Sequence, residues 1–347
     1  MDATRGAAEG RPRRNQGARG GPAQTADGYY GALDLGTNNC RLLIAEPGPA
    51  GFAVVDAFSR IVRLGENLSS TGRLHDRAMA RTIDALRICA NKLKWRKVER
   101  TRLVATEACR MAGNGEEFIA RVKAETGLAL EIIDRETEAT LAATGAEPLI
   151  DPNSDSTLVF DIGGGSTEVM WMMREGGTFR IGAWTSLAAG VVTVSERFGG
   201  GVDVSAEIFD AMRAYLRPFV QAFAAEVANR GGGRISHLLG TSGTVTTIAG
   251  VQLNLLRYDR SKVDGCWLES ADIGAVTARL VAMSYEERAA NPCIGRERAD
   301  LVLAGCAILE EIRAAFPTER IRVADRGLRE GILTQLMKQD GTYGRPR

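Results

Sequence analysis

Histidine is almost absent: the 347 residues contain only His75 and His237. That leaves no material for a His-based nucleophile triad or a multi-His metal centre. The six cysteines (Cys40, Cys89, Cys109, Cys266, Cys293 and Cys306) include no CxxC pair, and no secretory signal precedes them. They read as reduced thiols of a cytoplasmic protein, not as a disulfide framework or a zinc site. No apolar run approaches the ~20 residues that a membrane span requires. An excess of one charge is lacking too, with Lys+Arg at 44 against Asp+Glu at 43. No bulk field therefore advertises a nucleic acid or a membrane, and a polyanion would need a local basic patch. Neither a Walker A nor a GxGxxG pattern occurs, so P-loop and dinucleotide-binding readings lack their signatures.

What remains is ordinary for a globular chain: 44% hydrophobic and 25% charged residues, at a length that suggests about two domains. Residues 1–28 are rich in Gly, Ala, Pro and Arg without apolar periodicity and read as a disordered tail. Arg5, Arg11, Arg13, Arg14 and Arg19 allow a weak anchor for nucleic acid or polyphosphate; the plainer reading is a solvated extension. From Tyr29 onward strands alternate with helices. Strands are expected at 31–35, 40–46, 52–63, 101–106 and 129–133, and helices at 76–94, 115–126 and 136–147. In the first helix Met79, Ile83, Leu86 and Ala90 recur at helical spacing behind Asp76. A polar break at 151–156 separates an expected domain at 29–150 from one at 151–340. The second has expected strands at 157–162, 167–173, 179–186, 236–240 and 320–324, and helices near 204–229, 244–254, 271–283 and 297–315.

One repeat organises the chain. The segment Gly31-Ala32-Leu33-Asp34-Leu35-Gly36-Thr37-Asn38-Asn39 and the segment Leu158-Val159-Phe160-Asp161-Ile162-Gly163-Gly164-Gly165-Ser166 each read as an apolar strand, an Asp, an apolar residue, Gly and small polar residues. A second strand follows each. A strand–turn–strand unit appearing once per half implies a duplicated domain with the two turns facing each other.

The second turn carries three consecutive glycines, which let backbone approach a ligand and let successive N–H groups form an anion nest. Ser166 and Thr167 add hydroxyls, and Asp161 and Glu168 bracket the turn with oxygen ligands suited to Mg²⁺. A glycine-rich hairpin whose Asp satisfies its own turn is the structural alternative. In the first turn Gly36 permits close approach, and Thr37 and Asn38 supply donors. Arg41 either reaches a phosphate bidentately or is a solvated strand residue. A third turn, Gly240-Thr241-Ser242-Gly243-Thr244, leads into a helix whose N-terminus favours an anion; helix capping by Ser242 or Thr244 explains it equally well.

Taken together, ALDLGTNN at 32–39, DIGGGSTE at 161–168, GTSGT at 240–244 and GLREGIL at 327–333 resemble the Ppx/GppA family of exopolyphosphatases and guanosine pentaphosphate phosphohydrolases. The resemblance runs from about Gly31 to Leu333. It implies an α/β fold of two actin-like, ribonuclease H-like domains with a phosphate-binding cleft between them. By position it implies that Asp34, Asp161 and Glu168 are metal and water-positioning carboxylates, with Mg²⁺ as the cofactor. Gly163, Gly164, Gly165 and Ser166 would cradle phosphates, joined by Gly36, Thr37, Asn38, Gly240, Ser242 and Gly243. The stretch Ile133-Asp134-Arg135-Glu136-Thr137-Glu138-Ala139 is similar to the family segment with the catalytic glutamate, which places that role on Glu138; an exposed helical glutamate is the alternative. Arg41, Arg63 and Arg110 would contact phosphate.

Two departures stand out. Thr137 occupies a position where many members have a second acidic residue. Long members also carry further C-terminal helical domains, whereas this sequence ends soon after GLREGIL, which favours short-chain polyphosphate. The expected activity is hydrolysis of the terminal phosphoanhydride of inorganic polyphosphate, with guanosine pentaphosphate 5′-phosphohydrolysis as the alternative. A small-molecule kinase on the same fold would need an acceptor-binding Asp, and none offers itself. A non-catalytic nucleotide sensor fits poorly with the retained carboxylates. Family analogy adds a homodimer, and nothing points to a specific nucleic acid or a membrane as partner.

Overall fold

The computed structural model describes residues 28–345; the expected tail at 1–28 lies almost wholly outside them. The first half contains β1 (Tyr30–Leu35), β2 (Asn39–Gly48), β3 (Gly51–Ile61), α1 (Leu68–Thr71), α2 (Asp76–Trp95), β4 (Arg100–Ala105), α3 (Glu107–Met111), α4 (Gly115–Thr126), β5 (Glu131–Ile132) and α5 (Arg135–Ala146). The second contains β6 (Ser156–Ile162), β7 (Thr167–Glu175), β8 (Thr178–Leu187), α6 (Val191–Arg197), α7 (Ala206–Asn229), β9 (His237–Thr241), α8 (Ser242–Gln252), α9 (Arg260–Val263), β10 (Trp267–Glu269), α10 (Ser270–Ala282), α11 (Tyr285–Ala290), α12 (Val302–Ala315), β11 (Arg320–Ala324) and α13 (Leu328–Gln339). Among the described residues no helix is long and apolar enough to cross a membrane.

The two halves share one sheet plan. In the first sheet, of order β3-β2-β1-β4-β5, the first three strands pair antiparallel and β4 and β5 continue parallel to β1. In the second, of order β10-β11-β9-β6-β7-β8, β6, β7 and β8 repeat the antiparallel meander, and β9 and β11 continue parallel to β6. This is the ribonuclease H-like plan occurring twice, as in actin-like proteins. The duplication read from the two turns is thus a duplication of whole sheets.

Each sheet buries both faces. The outer face of the first packs on α2 and α4 through Leu33, Leu42, Ile83, Leu86, Phe118 and Val122. The outer face of the second packs on α7, α8, α10 and α12 through a larger core that includes Phe160, Val169, Leu216, Ile248 and Ile308. Between the sheets lie two helices that have exchanged sides. Helix α5 follows the first sheet yet packs Ala139, Ala142, Ala143 and Ala146 on Val159, Met170 and Leu239 of the second. Helix α13 follows the second sheet yet packs Ile332, Leu333, Leu336 and Met337 on Tyr30, Ala32 and Leu43 of the first. A division at 150/151 therefore separates the sheets but not the packing units.

Three boundaries differ from the sequence expectation for local reasons. Strand β5 is only two residues long because the Asp134 carboxylate accepts Thr137 N–H at 2.7 Å and starts α5. Helix α7 begins at Ala206 because Ser205 caps it. Helix α12 begins at Val302, not 297, where side chains take carbonyls just ahead of it: Arg288 Nε donates to Ala299 O and Ser195 Oγ to Asp300 O.

Candidate active site

The sheet plan brings the ends of β1 and β6 together, and with them the two repeated turns. Gly36 N–H bonds Asn39 O at 2.9 Å, and Gly163 N–H bonds Ser166 O at 2.9 Å, closing each turn on itself. The N–H groups of Thr37, Asn38, Gly164 and Gly165 have no acceptor among the described residues. A Cβ on Gly164 would lie 3.1 Å from Asn38 N, and one on Gly165 2.7 Å from Thr37 Oγ1. The turns thus meet across the cleft at a distance only glycine allows, and their spare N–H groups form the donor lining that a phosphate chain needs.

Register places the charges. Asp34 pairs across the hairpin with Arg41, and Asp161 pairs across its own with Glu168. Asp34, Arg41, Asp161, Glu168, Glu107 and Glu138 all line one pocket with both turns. Burial is the leading cause of the shifts there. It raises Asp34, against the pull of Arg41 and Arg329. Burial pushes Asp161 up to about 6, with Arg41 and a Ser242 hydrogen bond opposing and Asp34 reinforcing. Glu168 is pushed up to about 7 by burial and by Asp161, although Ser166 Oγ and Ser186 Oγ each donate to its Oε1 at 2.8 Å. Glu138 is raised well above an ordinary glutamate by burial and by the Glu168 charge. Such a crowd of buried carboxylates beside unpaired N–H donors marks the pocket as the candidate functional site.

The third turn contributes Ser242, which adopts φ 79°, the left-handed region unusual for a non-glycine residue. It lies near enough to Asp161 to oppose the rise of its carboxyl, and it lines the pocket at the head of α8. Strain of this kind persists where the surroundings over-determine it. Beyond the pocket the cleft widens into a chamber of about 420 Å³. Arg41, Arg298 and Arg329 line it, and none of the three forms an ion pair among the described residues.

The sequence model of the Ppx/GppA phosphatase family matches residues 43–340. The chain belongs to the Ppx/GppA phosphatase family. It is 32% identical over 323 residues to exopolyphosphatase 2 of Mycobacterium tuberculosis, covering 88% of this chain and 97% of the relative. It is 29% identical over 321 residues to the guanosine-5′-triphosphate,3′-diphosphate pyrophosphatase of Photobacterium profundum, covering 89% of this chain but 59% of that longer protein. Among solved structures it resembles the Aquifex aeolicus Ppx/GppA family member (TM-score 0.75, 30% identity, 90% and 98% of the two chains). It also resembles an exopolyphosphatase from Cytophaga hutchinsonii (TM-score 0.82, 25% identity, 90% and 98%).

In this Ppx/GppA chain most residues singled out in the sequence line the pocket: Asp34, Gly36, Thr37, Asn38, Arg41, Glu138, Asp161, Gly163, Gly164, Gly165, Ser166, Glu168 and Ser242, with Gly243 in the adjoining chamber. Three stand elsewhere or are otherwise engaged. Gly240 is buried in β9, where a Cβ would strike the Phe160 ring at 2.5 Å, so its smallness serves sheet packing. Arg63 leaves the pocket and forks onto Asp300, at 2.8 and 3.0 Å, and Glu297 O. Arg110 is consumed by protein acceptors: its Nη2 reaches Glu138 at 2.9 Å, its Nε and Nη2 reach Glu107, and its Nη1 reaches Ile133 O. As for metal, no three of the described His, Cys, Asp and Glu residues cluster closely enough to hold an ion. Asp34, Asp161 and Glu168 share a pocket without forming a cage.

Sequence reading missed Arg298, Arg329 and Glu107. Arg329 sits inside GLREGIL, where position gave a signal but no role. Arg298 lies in a stretch read as helix, and Glu107 in a segment read only for Arg110.

Proposed function

We propose that this chain is a phosphoanhydride hydrolase that removes the terminal phosphate of inorganic polyphosphate by in-line attack of water. One observation carries the reading. Glu138 is brought by α5 to the meeting point of two N–H-lined turns and is held by Arg110 with its proton affinity raised. A carboxylate with raised proton affinity suits a group that orients water and accepts its proton. The turns hold the terminal phosphoryl group, and Arg41, Arg298 and Arg329 neutralise the following phosphates along the chamber. For phosphoryl transfer, positioning and charge stabilisation supply most of the acceleration.

The donor set fits Mg²⁺, which takes one or two carboxylates and completes its shell with water and phosphate oxygens. Asp34 and Asp161 would hold it, while Glu168 is tied to Ser166 and Ser186. When bound, the ion supplies charge neutralisation at the phosphate oxygens. A cytoplasmic homodimer is the accompanying expectation from the family.

Guanosine pentaphosphate is the second reading. The Photobacterium relative acts on that class by its name, and the chamber wall includes Tyr258, Pro292, Cys293 and Ile294, surfaces a nucleoside could use. The test is Mg²⁺-dependent phosphate release measured side by side from polyphosphates of several lengths, guanosine pentaphosphate and ATP. Polyphosphate is expected to lead, and Glu138→Gln to lower turnover by about 10²–10⁴-fold with binding retained. Preference for guanosine pentaphosphate would replace the substrate and keep the mechanism. No release from any of them would overturn the hydrolase.

A further inference from the structure

Four side chains of alternating charge run behind the glycine turn: Arg135, Glu107, Arg110 and Glu138. Arg135 Nη2 donates to Glu107 Oε1 at 2.8 Å. Arg110 donates to Glu107 Oε2 through Nε at 3.1 Å and Nη2 at 2.5 Å. The same Nη2 continues to Glu138 Oε2 at 2.9 Å. Glu107 is 6% exposed, lines the pocket, and sits so close to the turn that a Cβ on Gly165 would lie 2.9 Å from its Cγ. Burial opposes its charge, but the two guanidiniums prevail and hold its carboxyl below the usual range, so it is ionised. Arg135 keeps a further donor in reserve: its Nε is buried and has no partner.

The arrangement is unexpected for a site that receives polyanions. A second acidic residue is missing beside Glu138, where Thr137 stands. A carboxylate enters the same neighbourhood from α3, and its two oxygens occupy two guanidiniums much as two phosphoryl oxygens would. We infer that Glu107 is an internal counter-anion that holds Arg110 and Arg135 in the empty pocket, and that an incoming phosphoryl group takes Arg110 by displacing it. Glu107 is then a specificity-determining residue. It lowers the affinity for a lone phosphate, which has few other contacts, more than for a chain that also engages Arg41, Arg298 and Arg329. The free phosphate that hydrolysis leaves behind is thereby released readily. The inference rests on the pocket being a phosphoryl site, as proposed above, but not on turnover.

Calorimetric titration of the intact protein with inorganic phosphate, without added substrate or metal, reads the competition directly. Losing one charge-assisted contact to the competitor corresponds to about tenfold in affinity, so Glu107→Gln is expected to bind phosphate about tenfold more tightly than wild type. In turnover it should show a lower KM and stronger phosphate inhibition, together with a lower kcat from slower release. Arg135→Met alters a side chain that is 37% exposed and is the variant better suited to remain folded. It frees the whole Glu107 carboxylate for Arg110, and phosphate binding should weaken several-fold. A folded Glu107→Gln protein with unchanged or weaker phosphate affinity, or unchanged affinity in Arg135→Met, would reduce Glu107 to a brace and overturn the inference. Tighter phosphate binding in Glu107→Gln, in a protein that releases phosphate from no substrate, would keep this inference while removing the hydrolase.

Discussion

Glu138 and His237 are both moved from their ordinary proton affinities by burial, in opposite senses and with different consequences. Burial favours the neutral form of either. For Glu138 the neutral form is protonated, and the Glu168 charge adds to the shift while Arg110 opposes it. For His237 the neutral form is deprotonated: the ring is 2% exposed, lies edge-on to Trp267 at 5.2 Å, and its affinity is lowered to about 4. Its Nε2 has no partner, so a proton taken up there finds no acceptor. The unfolded chain binds that proton near pH 6.5. The folded chain resists it down to about 4, so stability from this residue is complete above about 6.5 and is lost as pH falls through that window. The buried carboxylates act the other way, since their raised affinities make the folded metal-free protein the better proton binder. Comparing wild type with His237→Phe cancels their part. The melting temperature of wild type should fall relative to the variant between pH 7 and pH 5, and parallel curves would show that His237 does not titrate on unfolding. That Asp34, Asp161 and the glycine turns share one pocket was legible in the sequence because they lie in two matching runs of consecutive residues. The engagement of Arg110 by Glu107 was not, because it depends on which rotamers meet after α3 and α5 have been packed.

At the scale of elements, the exchange of α5 and α13 decides where Glu138 stands. The two helices cross at glycines. A Cβ on Gly331 would come to 2.0 Å from Leu141 O, and one on Gly145 to 1.9 Å from Gly327 O. These are backbone neighbours that cannot swing aside. In an exposed helix Gly→Ala would gain roughly 1 kcal/mol of propensity. Here the added methyl must separate two buried helices, and overpacking of that kind costs about 1–3 kcal/mol. Gly331→Ala is therefore expected to be net destabilising, by up to about 2 kcal/mol in chemical denaturation. It should also lower kcat, since α5 carries Glu138. A stabilised variant with full activity would show that the crossing has slack. Helix α13 escaped the sequence reading for the same physical reason. Its buried set, Leu328, Glu330, Gly331, Ile332, Leu333, Thr334, Leu336 and Met337, covers most of its circumference, so no single apolar stripe marks it. The amphipathic α2, with one buried face, was read to within a residue of its end.

At the scale of the molecule, the sheets are held together on the far side of the turns by contacts that touch no reacting group. Arg63 reaches from the loop after β3 to Asp300 and Glu297 O. Glu196 of α6 accepts from Asn67 N–H at 2.8 Å and Ser69 Oγ at 2.7 Å. The same loop braces the first turn, with Val62 and Arg63 N–H on Asn38 O and Gly65 N–H on Thr37 O. Arg63 itself is held at φ 46°, a conformation that costs free energy and persists only while its partners enforce it. The loop that latches onto the second half thus also positions the Thr37 and Asn38 donors. The latch's energetic scale is small, because Arg63 is 35% and Asp300 16% exposed, and pairs of this kind contribute roughly 0.2–1 kcal/mol. Global stability should barely register their loss. A two-state opening equilibrium shifts by up to about fivefold for the same free energy. Arg63→Ala should accordingly leave the melting temperature within about 2 °C. It should raise the radius of gyration in solution scattering without substrate, and raise KM more than it lowers kcat. On the proposed function, saturating substrate should restore the compact form, since phosphates bound to both turns would take over the latch's work. If Arg63 instead contacts the transferring phosphate, kcat falls by orders of magnitude at unchanged compactness, and that split separates the two roles.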